Sequence, residues 1–268
     1  MSDRSAEREA LLETVGLHRH FGGLRALDGL DMRVEAGGIH GLIGPNGSGK
    51  TTALNVLSGV LRPTAGRIRF AGRDIAGLPP HRMAQAGIGR TFQNLRVFGR
   101  LGVLENVLVG AHRHLGYGLL AVLTGRHRRA EAAVRERARL LVEFVGLSAR
   151  VDRPADSLPY GERRLLEIAR ALATEPRLLL LDEPLVGMNP GEVDRVVALL
   201  HRIAERGTTI LLVEHKMRVI MSICDRITVL NFGQKIAEGV PEEVRRNDDV
   251  IRAYLGEGRG IRRRAARR

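Results

Sequence analysis

The chain has 268 residues, a formal net charge of +13, 44% hydrophobic residues and a single cysteine, Cys224. That length suits one large α/β domain or a core with an inserted lobe. One cysteine excludes an intrachain disulfide, and no run of eighteen apolar residues offers a membrane span.

The first ten residues, MSDRSAEREA, are charged and carry no apolar signal core, so a cytoplasmic protein is expected. All but three of the 43 basic residues are arginine. Such basicity suits nucleic acid, anionic lipid or an acidic partner. His18 with His20, and His112 with His114, are i,i+2 pairs, and neither is assigned a metal.

Leu30, Met32 and Val34 alternate with Asp31, Arg33 and Glu35, which predicts a strand with one wet face. Ile39–Ile43 reads as a short buried strand, and Thr52–Leu61 carries Leu54, Leu57 and Leu61 at helical spacing. Ile68 and Phe70 alternate with Arg67 and Arg69 before a turn at Ala71–Gly72. Residues 95–176 read as helical, with Val134, Ala138, Leu141 and Val145 on one face of Arg128–Val145. Leu178–Leu181 and Thr209–Val213 are continuously apolar, as parallel strands covered on both faces are. Between them Asn189, Pro190 and Glu192 predict a capped helix that Gly207 ends. Strands then follow Asp225, two short helices begin at Pro241 and Asp248, and a basic tail from Gly258 is expected to be disordered.

Gly44, Gly49, Lys50 and Thr51 fit G-x-x-x-x-G-K-[ST] between a predicted strand and a predicted helix. Gly44, Pro45, Asn46, Gly47, Ser48, Gly49 and Thr52 belong to the same loop and helix start, and all but Pro45 offer a backbone N–H to the phosphates. Lys50 brings a compact positive charge to the β- and γ-phosphates, and the Thr51 hydroxyl is placed to ligate Mg²⁺. Asp182 ends the LLLLD strand, where its carboxylate can approach Mg²⁺. Glu183 projects beyond the strand tip, where a carboxylate can polarise an attacking water. His215 follows the neighbouring strand and can reach a γ-phosphate. Gln93 lies at the junction of core and helical segment, where a hinge can couple metal geometry to rotation.

Ser157–Arg164, SLPYGERR, precedes the helical LLEIARALA about 20 residues before LLLLDEP. With the motifs above, this arrangement resembles the ATP-binding cassette family over nearly the whole chain. By that resemblance Gln93 matches the Q-loop and a metal contact. Leu158, Pro159, Tyr160, Gly161 and Glu162 match the signature that meets the ATP held by a second cassette. Gly187–Pro190 matches the D-loop, His215 the switch histidine, and Phe21 the aromatic that stacks on adenine. RTFQNLRVF, LENVLVGAH, the tyrosine of the signature, GMNP and DVIRAYLGE are similar to the ATPase subunits of branched-chain amino acid importers. GERR and YLGE are also similar to the lipopolysaccharide-export ATPase. The chain departs from the usual pattern at Pro159, Tyr160, Glu162 and Asn189.

The implied fold is α/β: a P-loop NTPase core, whose mixed sheet has an antiparallel part, plus an inserted helical lobe. The expected boundaries are 1–94 and 177–240 for the core, 95–176 for the lobe, and 241–268 for C-terminal helices and tail. The implied activity is hydrolysis of ATP with Mg²⁺, powering solute uptake. The implied partners are a second ATPase subunit, two integral-membrane permeases and an extracytoplasmic solute-binding protein. The chain would then sit peripherally on the inner face of the cell membrane. A nucleic-acid-associated cassette ATPase is the reading from another class. Such proteins usually carry two cassettes or long insertions, so no nucleic-acid partner is expected.

Overall fold

A computed structural model describes residues 10–91, 96–111 and 126–254. Two long strands, β1 (Ala10–Phe21) and β2 (Leu24–Glu35), pair antiparallel around Gly22–Gly23. Leu30, Met32 and Val34 are buried, while Asp31 and Arg33 face outward, as their alternation requires. β4 (Ala65–Phe70) pairs with β1, and β5 (Arg73–Asp74) closes a sheet of order β2-β1-β4-β5.

The second sheet has the order β10-β9-β3-β8-β7-β6. Its parallel strands are β3 (Ile39–Ile43), β6 (Ile88–Arg90), β7 (Leu178–Asp182), β8 (Thr209–Val213) and β9 (Arg226–Asn231). Only β10 (Gln234–Gly239) runs antiparallel, against β9. Alternate residues enter different cores. Leu178, Leu180, Leu211 and Val213 pack with the antiparallel strands and the helix after β3. Leu179, Leu181, Ile210 and Leu212 pack with the later helices. Burial on both faces explains why these strands are apolar at every position.

The helix after β3 is α1 (Lys50–Leu57), displaced from the expected Thr52–Leu61. The Ser58 hydroxyl donates to the Leu54 carbonyl at 2.7 Å, and Gly59 turns left-handed at φ 74°. These two residues end the helix, so Leu61 lies beyond it. α2 (Pro80–Ala86) leads into β6. The helical segment contains α3 (Val103–Ala111), α4 (Arg126–Phe144) and α5 (Tyr160–Leu172). Val134, Ala138 and Val145 are buried as their spacing predicts.

α6 (Pro190–Glu205) carries the expected capping box. The Asn189 side chain accepts from the Glu192 N–H, and the Glu192 carboxylate accepts from the Asn189 N–H, each at 3.0 Å. α7 (Met217–Ile223), α8 (Pro241–Arg246) and a helix at 248–254 follow. Cys224 is buried, and desolvation followed by the Asp225 charge pushes its thiol up to about 12. It packs as a small apolar group. The basic tail lies outside the described residues, and among those no helix is long and apolar enough to cross a membrane.

Candidate active site

The C-terminal ends of β3, β7 and β8 converge on one edge of the parallel sheet, where the loop 44–49 leaves β3. Gly44 and Gly49 are fixed by space as well as by backbone angle. A Cβ at Gly44 would lie 2.1 Å from the Leu230 carbonyl oxygen, and one at Gly49 would lie 2.5 Å from that of Ala26. Their φ angles are 151° and 106°, which a side chain would strain. Lys50 is buried, and its Nζ donates to the carbonyls of Gly44 and Pro45 at 2.8 and 2.9 Å. Its charge is thus centred on the loop.

A cavity of about 430 Å³ opens over this loop. Asn46, Gly47, Ser48, Gly49, Lys50, Thr51 and Thr52 form its floor, Glu183 and His215 one wall, and Phe21 another. Phe21 is 42% exposed, with the Arg19 guanidinium 4.4 Å above its ring. Phe232, 81% exposed on a left-handed backbone, also lines the cavity. Sequence reasoning overlooked it; an aromatic at the turn before Gly233 was the available signal.

Glu183 stands in the left-handed region at φ 49°, and its N–H donates to the Val213 carbonyl. This backbone turns the side chain off the strand toward His215, whose Nε2 lies 2.6 Å from Oε1. Asp182 is fully buried. Desolvation raises its carboxyl above the ordinary value, and the nearby Arg90 charge opposes that rise. Asp182 Oδ2 accepts from Arg90 at 3.3 Å, whereas Oδ1 has no hydrogen-bond partner among the described residues. Arg90 also donates to Asn55 Oδ1 and Ser58 Oγ at 2.8 and 2.7 Å, tying β6 to α1 beside Asp182.

Sequence reasoning also missed Glu214, which directly follows β8. Its buried carboxylate accepts from the Leu185 N–H at 2.8 Å and the His215 N–H at 3.1 Å. It therefore joins the loop after Glu183 to the loop bearing His215. Burial raises its pKa, against the N–H groups of Leu185, His215 and Lys216. A charged residue closing an apolar strand was the signal missed.

The segment 158–162 is elsewhere. Leu158 is buried, and Pro159 precedes α5 with no side-chain cap. Tyr160 is 37% exposed, while Glu162 pairs with Arg150 at 3.2 Å. Pro159, Gly161 and Glu162 line a separate cavity of about 290 Å³ with Met188, Asn189 and Glu192. One chain thus does not bring its signature segment to its own phosphate loop. Gln93 lies outside the described residues, although Arg90 and Arg96 on either side of it line an apolar cavity of about 640 Å³. Val60, Pro80, Val97, Phe98 and Val109 form much of that lining.

The chain matches the ABC transporter family model over residues 27–186 and the branched-chain amino acid ATP-binding cassette transporter model over 234–259. It is 48% identical to the high-affinity branched-chain amino acid transport ATP-binding protein BraF of Pseudomonas aeruginosa, covering 92% of this chain and 98% of that one. Identity to the corresponding LivG protein of Salmonella typhimurium is 45%, over 93% and 99% of the two chains. A nucleotide-free ATP-binding cassette from an ABC transporter superposes with a TM-score of 0.81 at 34% identity, covering 92% of this chain and 99% of that one. An ADP-bound cassette of an ABC transporter gives 0.81 at 32%, with the same coverage.

Proposed function

This chain belongs to the ABC transporter family as an ATP-binding, ATP-hydrolysing subunit, and from that premise we propose that it powers import of branched-chain amino acids. The observation that carries the cargo is the 48% identity to a branched-chain amino acid transport ATPase along 92% of the chain, joined to the match at 234–259.

The loop 44–52 wraps the phosphates with N–H groups and the Lys50 charge, and Phe21 stacks on the adenine. Glu183 orients and polarises the attacking water, and His215, hydrogen-bonded to it, faces the γ-phosphate. The donor set fits Mg²⁺: Asp182 offers a buried carboxylate oxygen without a hydrogen-bond partner among the described residues, and Thr51 a hydroxyl at the cavity floor. Thr51, Asp182 and Gln93 are the residues that would hold the ion. When bound with ATP, it neutralises charge on the phosphate oxygens.

The signature residues 158–162 complete the site of a second cassette, and that cassette completes this one. Core (1–94 and 177–240) and lobe (95–176) rotate against each other about Gln93, with 241–268 as an appendage. The apolar cavity near Arg90 and Arg96 receives a short cytoplasmic helix of a membrane permease. The subunit works at the inner face of the membrane, downstream of a solute-binding protein, with no nucleic-acid partner.

Uptake of labelled leucine, isoleucine and valine tests the assignment in cells whose own copy is deleted. Restoration by the wild-type chain and not by Glu183→Gln is expected. Leucine uptake unchanged by the deletion, with loss of another solute's uptake, would reassign the cargo.

A further inference from the structure

His18 and His20 alternate on β1, and Asp28 comes from its partner strand β2. One ligand atom from each of His18, His20 and Asp28 lies within 4.8 Å of the other two. The imidazole rings meet edge to face at 82°, with centroids 5.5 Å apart. His18 Nδ1 and His20 Nε2 are both shielded from solvent, and neither has a hydrogen-bond partner among the described residues. His18 Nδ1 has only the Asp28 carboxylate near it, at 3.3 Å, and a shielded ring nitrogen such as His20 Nε2 is unfavourable without a ligand.

Asp28 is presented to them by its other contacts. Oδ2 accepts from Gln234 Nε2 at 3.2 Å and lies 3.6 Å from the Arg25 guanidinium. Oδ1 points to the histidines, 3.3 Å from His18 Nδ1.

We propose that His18, His20 and Asp28 form a binding site for a divalent transition-metal ion of the zinc class. Two imidazoles and one carboxylate make a three-ligand set that leaves a position for water. Imidazole donors select zinc, copper or nickel over magnesium and calcium. Gln234 is the outer partner that fixes the carboxylate. Arg25 opposes the ion, but its side chain is 67% exposed, so solvent screens it. Arg19 stacks on Phe21 and donates to the Arg62 carbonyl, away from the cluster.

The test is calorimetric titration of the untagged full chain with Zn²⁺, without nucleotide because phosphates chelate the ion. One Zn²⁺ per chain should bind in the presence of excess Mg²⁺. Co²⁺ should bind in the same place and give visible absorption of a low-coordinate site. His18→Gln with His20→Gln should lower affinity by ~100-fold or more, and Gln234→Ala by ~10- to 100-fold. Melting of the ion-free variants checks their fold, and Zn²⁺ should raise the melting temperature of the wild type alone. Equal Zn²⁺ binding by wild type and double variant overturns the site, as does displacement by Mg²⁺. So does absence of binding, which leaves His18 and Asp28 as a simple ion pair.

Discussion

At the scale of single residues, the proposed function assigns the chemistry to Glu183, while burial gives His40 a pH response. Glu183→Gln keeps shape and loses the base, so ATP turnover should fall by ~10²-fold or more while nucleotide binding persists. Steady-state hydrolysis with parallel nucleotide titration checks this, and turnover within about twofold of wild type would remove Glu183 from the role. His40 is buried, its Nε2 2.8 Å from Thr228 Oγ1. Burial, then the Arg226 and Lys235 charges, lower its pKa from 6.5 to about 3. The unfolded chain therefore binds this proton more tightly than the folded one. The contribution is fully present above pH 6.5 and is lost as pH falls toward 3. Within that window its slope approaches ~1.4 kcal/mol per pH unit. Glu214, with a raised pKa, contributes in the opposite sense, so the comparison must be with His40→Gln. Urea unfolding across that range should show a shallower acid loss in the variant.

At the scale of elements, patterns legible in the sequence were those that local chemistry fixes. The capping box of α6 follows from Asn189 and Glu192 alone, and the apolar runs of β7 and β8 from burial on two faces. The end of α1 was misread because Leu61 kept helical spacing while Ser58 and Gly59 had already turned the chain. Phe232, Arg90 and Glu214 escaped because their roles depend on partners distant in sequence, such as Asp182 for Arg90. The same holds for His18 and His20, which meet Asp28 only through strand pairing. The α5 start allows a prediction. Pro159 stands at the N-cap without a side-chain bond, so Pro159→Ser should add ~1 kcal/mol of ATP-free stability. The new hydroxyl should also raise the ATP-bound dimer fraction in the Glu183→Gln background, as read by sedimentation. Greater monomer stability with unchanged dimerisation would show that this hydroxyl does not limit closure.

For the whole molecule, the phosphate loop and Pro159–Glu162 line separate cavities, and the proposed function makes hydrolysis a property of two chains. At concentrations below those that support association, the hydrolysis rate of a self-pairing chain should rise with the square of its concentration. If only a different cassette serves as partner, adding that cassette should restore activity to the dilute chain. A rate strictly proportional to concentration under all dilutions would mean that one chain suffices. The backbone at Glu183 carries a consequence for heredity. A left-handed glutamate is strained by ~1–3 kcal/mol, and glycine or asparagine would relax it. A library of position 183 selected only for resistance to heat should enrich those two residues. Selected for growth on transported solute, the same library should return to glutamate, so that the two selections set folding and turnover against each other at one position.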